Sequence, residues 1–353
     1  MTTPQPLPRR QFASDNYAGI CPEALAAMQS ANGGHSRAYG DDEWTARACD
    51  RIREVFETDC DIFFTFTGGA ANALALAAIC QPHHAIICHE QSHVETDECG
   101  GPELFTGGAK VMPVAGAHGK LDLAAVKERA TRRDDVHFPR ARALCLTQAT
   151  EMGTVYTIDE LKAVSELARK LKLTLFMDGA RFANALSSLS VAPKEITWRA
   201  GVEAMSLGGT KNGLAFGEAV VFFNKDLAAE FEYRVKQVGQ LCSKMRYIAA
   251  PWLAVLENDA WLRHAARSNA MARLLETSLQ PVIAKGTIEL LAPVEANALF
   301  LRMPQALIDA LHARGWHFYD FIGPQIIRLM CAWDTMEEDI TAFANDCRNL
   351  AFS

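Results

Sequence analysis

The feature that most restricts the fold of this chain is a regular alternation of short apolar, β-rich runs with helix-forming stretches between residues 61 and 224. "DIFFTFT" (61–67), "HAIICHE" (84–90), "AKVMPVA" (109–115), "RALCLTQ" (142–148), "LTLFMD" (173–178) and "EAVVFFN" (218–224) read as strands. Between them lie helical patterns such as "AANALALAAIC" (70–80) and "IDELKAVSELARKLKL" (158–173). Parallel strands covered on both faces lose the apolar/polar alternation of half-exposed strands and need crossover helices. The pattern therefore predicts an α/β architecture built on a mostly parallel sheet. After about Pro251 the rhythm changes. A helix-rich segment (251–280) precedes "TIELLAP", "NALFLRM", the helix "PQALIDALHARG", the strand "QIIRLMCAW" and a final helix from Thr335, which predicts a smaller α+β domain. The expected division is an N-terminal segment 1–16, a large domain 17–250 and a small C-terminal domain 251–353.

The net charge of −7 over 353 residues, with no basic block, argues against nucleic acid or anionic membranes as partners. No run reaches transmembrane length, and "MTTPQPLPRRQFASDN" has no apolar signal core, so a cytoplasmic location is expected. The ten cysteines are scattered without a C-x-x-C pair or metal-like Cys/His spacing. They read as buried thiols of a reducing compartment, with no metal site.

In open α/β sheets ligands bind beyond the carboxyl ends of the strands, so the residues that follow each strand carry the functional information. After "DIFFTFT" come Gly68, Gly69 and Ala70, where a glycine turn feeding a helix suits an anion; a plain tight turn is the alternative. After "LTLFM" comes Asp178 of "DGAR", either a buried carboxylate in need of a cation or a helix N-cap. Lys211 lies in "GGTKNG", where it reads as a solvated charge, a phosphate lysine or a covalent anchor. Thr210 and Asn212 flank it where a P-loop demands Gly and Ser/Thr, which removes the second reading. An anion-binding turn, a strand-end aspartate and a lysine in a glycine turn together meet the needs of pyridoxal 5'-phosphate (PLP): phosphate, pyridine nitrogen and aldehyde. Arg328 interrupts the apolar strand "QIIRLMCAW" and needs an anionic partner, from a salt bridge or a bound carboxylate.

The stretches "FASDNYAGICPEA", "RAYGDDEWT", "TGGAANALAL", "SHVETDECGGPE", "TQATEMGTVY", "MDGARFANA", "GGTKNG", "SKMRYIAAPW" and "WDTMEEDI", in this order, resemble the low-specificity L-threonine aldolases. The resemblance runs over about residues 11–345. It implies an aspartate-aminotransferase-like PLP fold of type I, with a mostly parallel seven-stranded sheet in the large domain. It implies that Lys211 is the Schiff-base lysine, Asp178 the pyridinium partner and Arg181 the arginine beside the cofactor oxygen and substrate carboxylate. Gly68, Gly69 and Ala70 then form the phosphate turn, and His93 stacks on the pyridine ring and is a candidate base, followed by the acid Glu98. Ser14, Tyr39, Glu98 and Arg328, with Arg181, match substrate-binding positions. Tyr39, with Lys244 and Arg246 of "SKMR", is expected to reach a neighbouring subunit's site in a homo-oligomer, a tetramer.

The implied reaction is retro-aldol cleavage of L-threonine, L-allo-threonine and related β-hydroxy-α-amino acids to glycine and an aldehyde. The base is His93, or a water aligned by His93 and Glu151. Two departures stand out. Many relatives have Gly-Thr where this chain has Gly68-Gly69, and many have a second histidine where it reads Thr150-Glu151-Met152-Gly153, which leaves Glu151 as a replacement acceptor. A phenylserine preference, transamination, β-elimination and a non-catalytic binding role are the alternatives, because a scaffold does not fix its chemistry.

Overall fold

The computed structural model describes residues 9–352, so residues 1–8 of the expected N-terminal segment lie outside the described residues. Seven apolar runs pair as one sheet: β1 (Asp61–Thr65), β2 (His84–His89), β3 (Lys110–Val114), β4 (Arg140–Thr147), β5 (Thr174–Gly179), β6 (Ala204–Leu207) and β7 (Glu218–Phe222). Their spatial order is β1-β7-β6-β5-β4-β2-β3. β7 runs antiparallel to its neighbours β1 and β6, and the remaining pairs are parallel. Every residue of β5, β6 and β7 is buried, which is why β5 and β7 read as continuous apolar runs, whereas β6, four residues long, is not among the strands read from the sequence.

The helix Gly68–Ile79 is likewise buried along most of its length, so it has no polar face to give it a helical period in the sequence. Its first residues are Gly68 and Gly69, not Ala70. Thr67 is the N-cap, its hydroxyl accepting the Ala70 N–H at 3.3 Å, and the expected glycine turn is therefore the first turn of the helix. The helix Ile158–Lys170 opens with a capping box, Thr157 and Glu160 each accepting the other's backbone N–H, and buries the stripe Leu161, Val164 and Ala168. It stops short of residue 173 because Lys172 takes the left-handed conformation, φ 57°.

The second sheet is antiparallel, β10 (Tyr319–Gly323), β11 (Ile326–Met330), β9 (Ala298–Arg302) and β8 (Glu289–Leu290) in spatial order. The helices Gln305–Ala313 and Glu337–Ala351 cover it. The expected boundary at 250/251 falls inside the helix Arg246–Glu257. Apolar residues as far as Ala265 join the core of the large sheet, and most of those from Met271 onward join the core of the small one. We place the division within the long helix Ala260–Ala284.

Phe12 also belongs to the small core, at 1% exposure. Its N–H donates to His317 O at 3.3 Å, its carbonyl accepts from Met330 N at 2.8 Å, and its ring packs against Trp316 and Phe343. Phe12→Ala removes a fully buried ring and is expected to cost about 3 kcal/mol or more. This should appear as a lower urea midpoint with unchanged secondary-structure content under native conditions.

Candidate active site

A cavity of about 1010 Å³ opens beyond the carboxyl ends of the parallel strands, with Ser14 and Arg328 among its lining residues. Of the residues singled out from sequence, Gly68, Gly69, His93, Glu151, Asp178, Arg181 and Lys211 line it as well.

Lys211 sits on a 3₁₀ turn, Thr210–Asn212, reached from β6 through Gly208-Gly209. A Cβ on Gly208 would lie 2.3 Å from the Ala180 carbonyl oxygen, and one on Gly209 would lie 2.6 Å from the Trp252 ring. The double glycine is thus a steric requirement of packing this turn against the end of β5. Antiparallel β7 brings buried Glu218 under the turn, where it accepts the Gly209 N–H. Burial pushes the Lys211 amine below the usual lysine range, and Arg181 pushes the same way against the acids Asp15, Asp178 and Glu218.

Asp178 ends β5 at 2% exposure with both oxygens engaged, Oδ2 accepting from Asn72 Nδ2 at 2.8 Å and Oδ1 from Ala180 N at 2.9 Å. The following helix, Phe182–Leu189, has Arg181 as its N-cap, so Asp178 does not cap it. Asn72 donates its second amide hydrogen to Glu98 Oε1 at 2.8 Å, and Glu98 in turn faces His93 Nδ1 at 2.9 Å. The bond to Glu98 raises the His93 imidazole despite burial, while burial raises the Glu98 carboxyl. Glu98 is not a wall of the cavity. It stands behind His93, part of a continuous chain from Asp178 through Asn72.

Glu151 has one satisfied oxygen and one orphan. Oε1 accepts from Thr147 Oγ1 at 2.7 Å and from the His93 backbone N–H at 3.0 Å, whereas Oε2 is buried with no hydrogen-bond partner. Burial, reinforced by Asp178, pushes its pKa up to about 7.

Two arginines face the same space with different freedom. Arg181 forks onto Asp15, with Nε at 2.7 Å from Oδ2 and Nη2 at 3.0 Å from Oδ1, and Asn297 Nδ2 adds a bond of 3.1 Å to Oδ2. Burial opposes ionisation of Asp15, yet Arg181, Lys211 and Asn297 outweigh it and hold the carboxyl below its ordinary range. Arg328 gives Nη2 to Ala13 O at 3.2 Å and lies over the Phe321 ring, but its buried Nε has no partner. Burial, with Arg181 nearby, pushes it down to about 10. An arginine that costly to bury, with a donor left over, has the chemistry to hold an anion in the cavity.

Other expected residues lie apart. Ala70 does not line the cavity, and its N–H is taken by Thr67. Tyr39 is 49% exposed with φ 60°, carries Lys236 over its ring at 4.4 Å and bonds through its N–H to Ser243 O, beside Lys244 and Arg246. None of these three residues lines this cavity. Sequence reasoning missed Asp15, Asn72, Thr147, Glu218 and Asn297. Only Asp15 had a signal, as the acid next to Ser14 in "SDN".

The model of the beta-eliminating lyases matches residues 11–304, and the chain belongs to that family. It is 56% identical over 339 residues to the low specificity L-threonine aldolase of Pseudomonas aeruginosa, covering 96% of this chain and 97% of that one. The corresponding enzyme of a Pseudomonas species is 54% identical over the same shares. A Leishmania major threonine aldolase structure superposes with a TM-score of 0.90 at 29% identity, covering 96% and 99% of the two chains. An aspartate aminotransferase from Rhodobacter sphaeroides, TM-score 0.70 at 16% identity over 100% and 95% of the chains, shares the fold alone. The type I fold is thereby established. Among the described residues no helix is long and apolar enough to cross a membrane.

The raised Glu151 carboxyl has a stability signature. Its folded pKa, about 7, lies above the ordinary 4.5, so the folded state holds a proton that the unfolded state has already lost. The ionisation of Glu151 therefore carries no stability penalty below pH 4.5, and the penalty grows until pH 7. In cofactor-free protein, Glu151→Gln should gain stability relative to the parent as pH rises through this window. Equal pH–stability curves for the two proteins would contradict the assigned shift.

Proposed function

We propose that this cavity is the active site of a PLP-dependent, low-specificity L-threonine aldolase that cleaves β-hydroxy-α-amino acids between Cα and Cβ to glycine and an aldehyde. The observation that carries the reading is the convergence of Lys211, Asp178 and Arg328 on one cavity in a chain 56% identical to such an aldolase. The residues fit the cofactor. Lys211 offers an amine held toward its neutral form, as a covalent anchor for the aldehyde. Asp178 offers a buried carboxylate for the ring nitrogen, and the free first turn at Gly68 and Gly69 suits a phosphate. When bound, PLP supplies an electron sink for the pair left on Cα.

The chain's own groups do the rest. Arg328 binds the substrate carboxylate through its unpartnered donor, and Arg181, fixed by Asp15, presents its remaining N–H groups from the other side. Ser14, at the cavity wall, contacts the substrate. His93, oriented by Glu98, holds the ring and the substrate in place. Glu151, with a vacant Oε2 and a pKa of about 7, takes the β-hydroxyl proton directly or through a water that His93 aligns. General-base assistance of this kind contributes roughly 10²–10⁴-fold.

Threonine, allo-threonine and phenylserine should each give glycine plus acetaldehyde or benzaldehyde over many turnovers, whereas alanine and aspartate, which lack the hydroxyl, should not react. Sustained stoichiometric ammonia or 2-oxo acid would replace this reading with β-elimination or transamination. Lys211→Ala should lose the cofactor's absorbance as bound to the enzyme and turnover by on the order of 10⁴-fold.

The same reading includes a cytoplasmic homo-oligomer, a tetramer, in which Tyr39, Lys244 and Arg246 serve a neighbour's site. Supporting it, Tyr39 is exposed beside Lys244 and Arg246, outside its own cavity. Light scattering at working concentration should give a multiple of the 38.7 kDa chain; a fully active monomer would refute the shared site.

A further inference from the structure

Outside the cavity lining, the fold brings together three residues of different donor chemistry that the spacing of cysteines and histidines does not reveal. Cys21 is the fully buried N-cap of the helix Pro22–Ser30, Glu23 lies in its first turn, and His264 comes from the long helix Ala260–Ala284. The thiol sulfur, a carboxylate oxygen and a ring nitrogen all lie within 4.8 Å of one another. A tetrahedral zinc ion with bonds of about 2.0–2.3 Å holds its ligand atoms about 3.3–3.8 Å apart, so little movement is needed to close on one.

The polar accounting points the same way. His264 Nε2 faces Glu23 Oε2 at 3.5 Å, the separation of two ligands on one metal and longer than an ordinary N–H···O hydrogen bond. Glu23 Oε2 is buried without a hydrogen-bond partner, while Oε1 takes a long contact of 3.5 Å from the exposed Arg263. The His264 side chain is nine-tenths buried, packs on Trp333 and makes no hydrogen bond among the described residues. A buried acceptor met only weakly by the Cys21 thiol, a buried imidazole without a hydrogen bond and that thiol converge on one point, and an ion would satisfy all three better.

We propose that Cys21, Glu23 and His264 bind a divalent ion of the zinc class, with a water in the fourth position. Thiol plus imidazole selects zinc or cobalt over the hard ions magnesium and calcium. With thiolate, carboxylate and neutral imidazole as ligands the complex carries no net charge, which suits its burial; the thiol proton leaves to solvent. The ion pins two elements that hold the turn of Lys211. The Cys21 N–H donates to Gly213 O at 2.8 Å, and Asn212 Nδ2 donates to Trp261 O at 2.7 Å, one helical turn before His264. The site is a brace behind the lysine turn, and it takes no part in the chemistry inside the cavity.

The test uses the holoenzyme, dialysed against a chelator and titrated with Co²⁺. Stoichiometric binding should produce the visible bands of tetrahedral cobalt and a near-ultraviolet thiolate-to-cobalt band, both lost on adding Zn²⁺, which binds such a site more tightly. Cys21→Ser should abolish the thiolate band, and His264→Gln should weaken Co²⁺ binding about tenfold or more. Zn²⁺ should raise the thermal midpoint of the parent and not of these variants. A parent without the thiolate band, or a band unchanged in Cys21→Ser, overturns the site. Should Cys21→Ser fail to fold, Glu23→Gln at a partly exposed position decides: unaltered Co²⁺ affinity and spectrum would equally overturn it.

Discussion

The bidentate pair between Asp15 and Arg181 is the interaction on which the rest of the site depends. Three cationic side chains, Lys211, Arg181 and Arg328, crowd one cavity, and each lowers the others' tolerance for burial. Asp15 neutralises the central one at 2.7 and 3.0 Å, and its own burial is compensated by Asn297. Removing one partner of such a pair leaves an uncompensated buried charge, typically a loss of 3–5 kcal/mol. The pair also joins the N-terminal segment, the end of β5 and the residue just before β9, so charge balance and chain connectivity are solved together.

Around that pair the fold gives two buried carboxylates opposite surroundings. Asp178 has both oxygens bonded and is held in one orientation; Glu151 has one oxygen bonded and one without a partner, and burial pushes its pKa up to about 7. The difference lies in the donors supplied to each. A strand end with an amide neighbour serves Asp178. The loop after β4, with a hydroxyl and one backbone N–H, leaves Glu151 half satisfied.

Much of the large sheet was legible because strands buried on both faces show as unbroken apolar runs, and six of them fall within two residues of the structure. Lys211, Asp178 and Arg328 were legible because a charge is conspicuous at the end or in the middle of such a run. What stayed hidden depends on distant partners. Asp15 and Asn297 are ordinary polar residues until Arg181, 166 positions from Asp15, gives them a purpose. β10 was hidden because its residues are mostly exposed and not apolar in period. The start of the helix at Gly68 was hidden because its cap is a single threonine hydroxyl. The family resemblance supplied His93, Glu98 and Tyr39, which no local pattern distinguishes from ordinary loop residues.

The backbone bonds of Phe12 to Met330 and His317 have a consequence for synthesis of the chain. A ribosome releases Phe12 near the beginning and Met330 near the end, an interval of some tens of seconds at roughly 5–20 residues per second. The seven-stranded sheet has all its strands once Phe222 has emerged, while the aromatic anchor of the first segment still waits for its slot. A nascent chain stalled in that interval already holds Lys211 and Asp178, yet it lacks Arg328 and the strand that carries it. Arg328, with its unpartnered Nε, is therefore the last of the residues lining the cavity to be made.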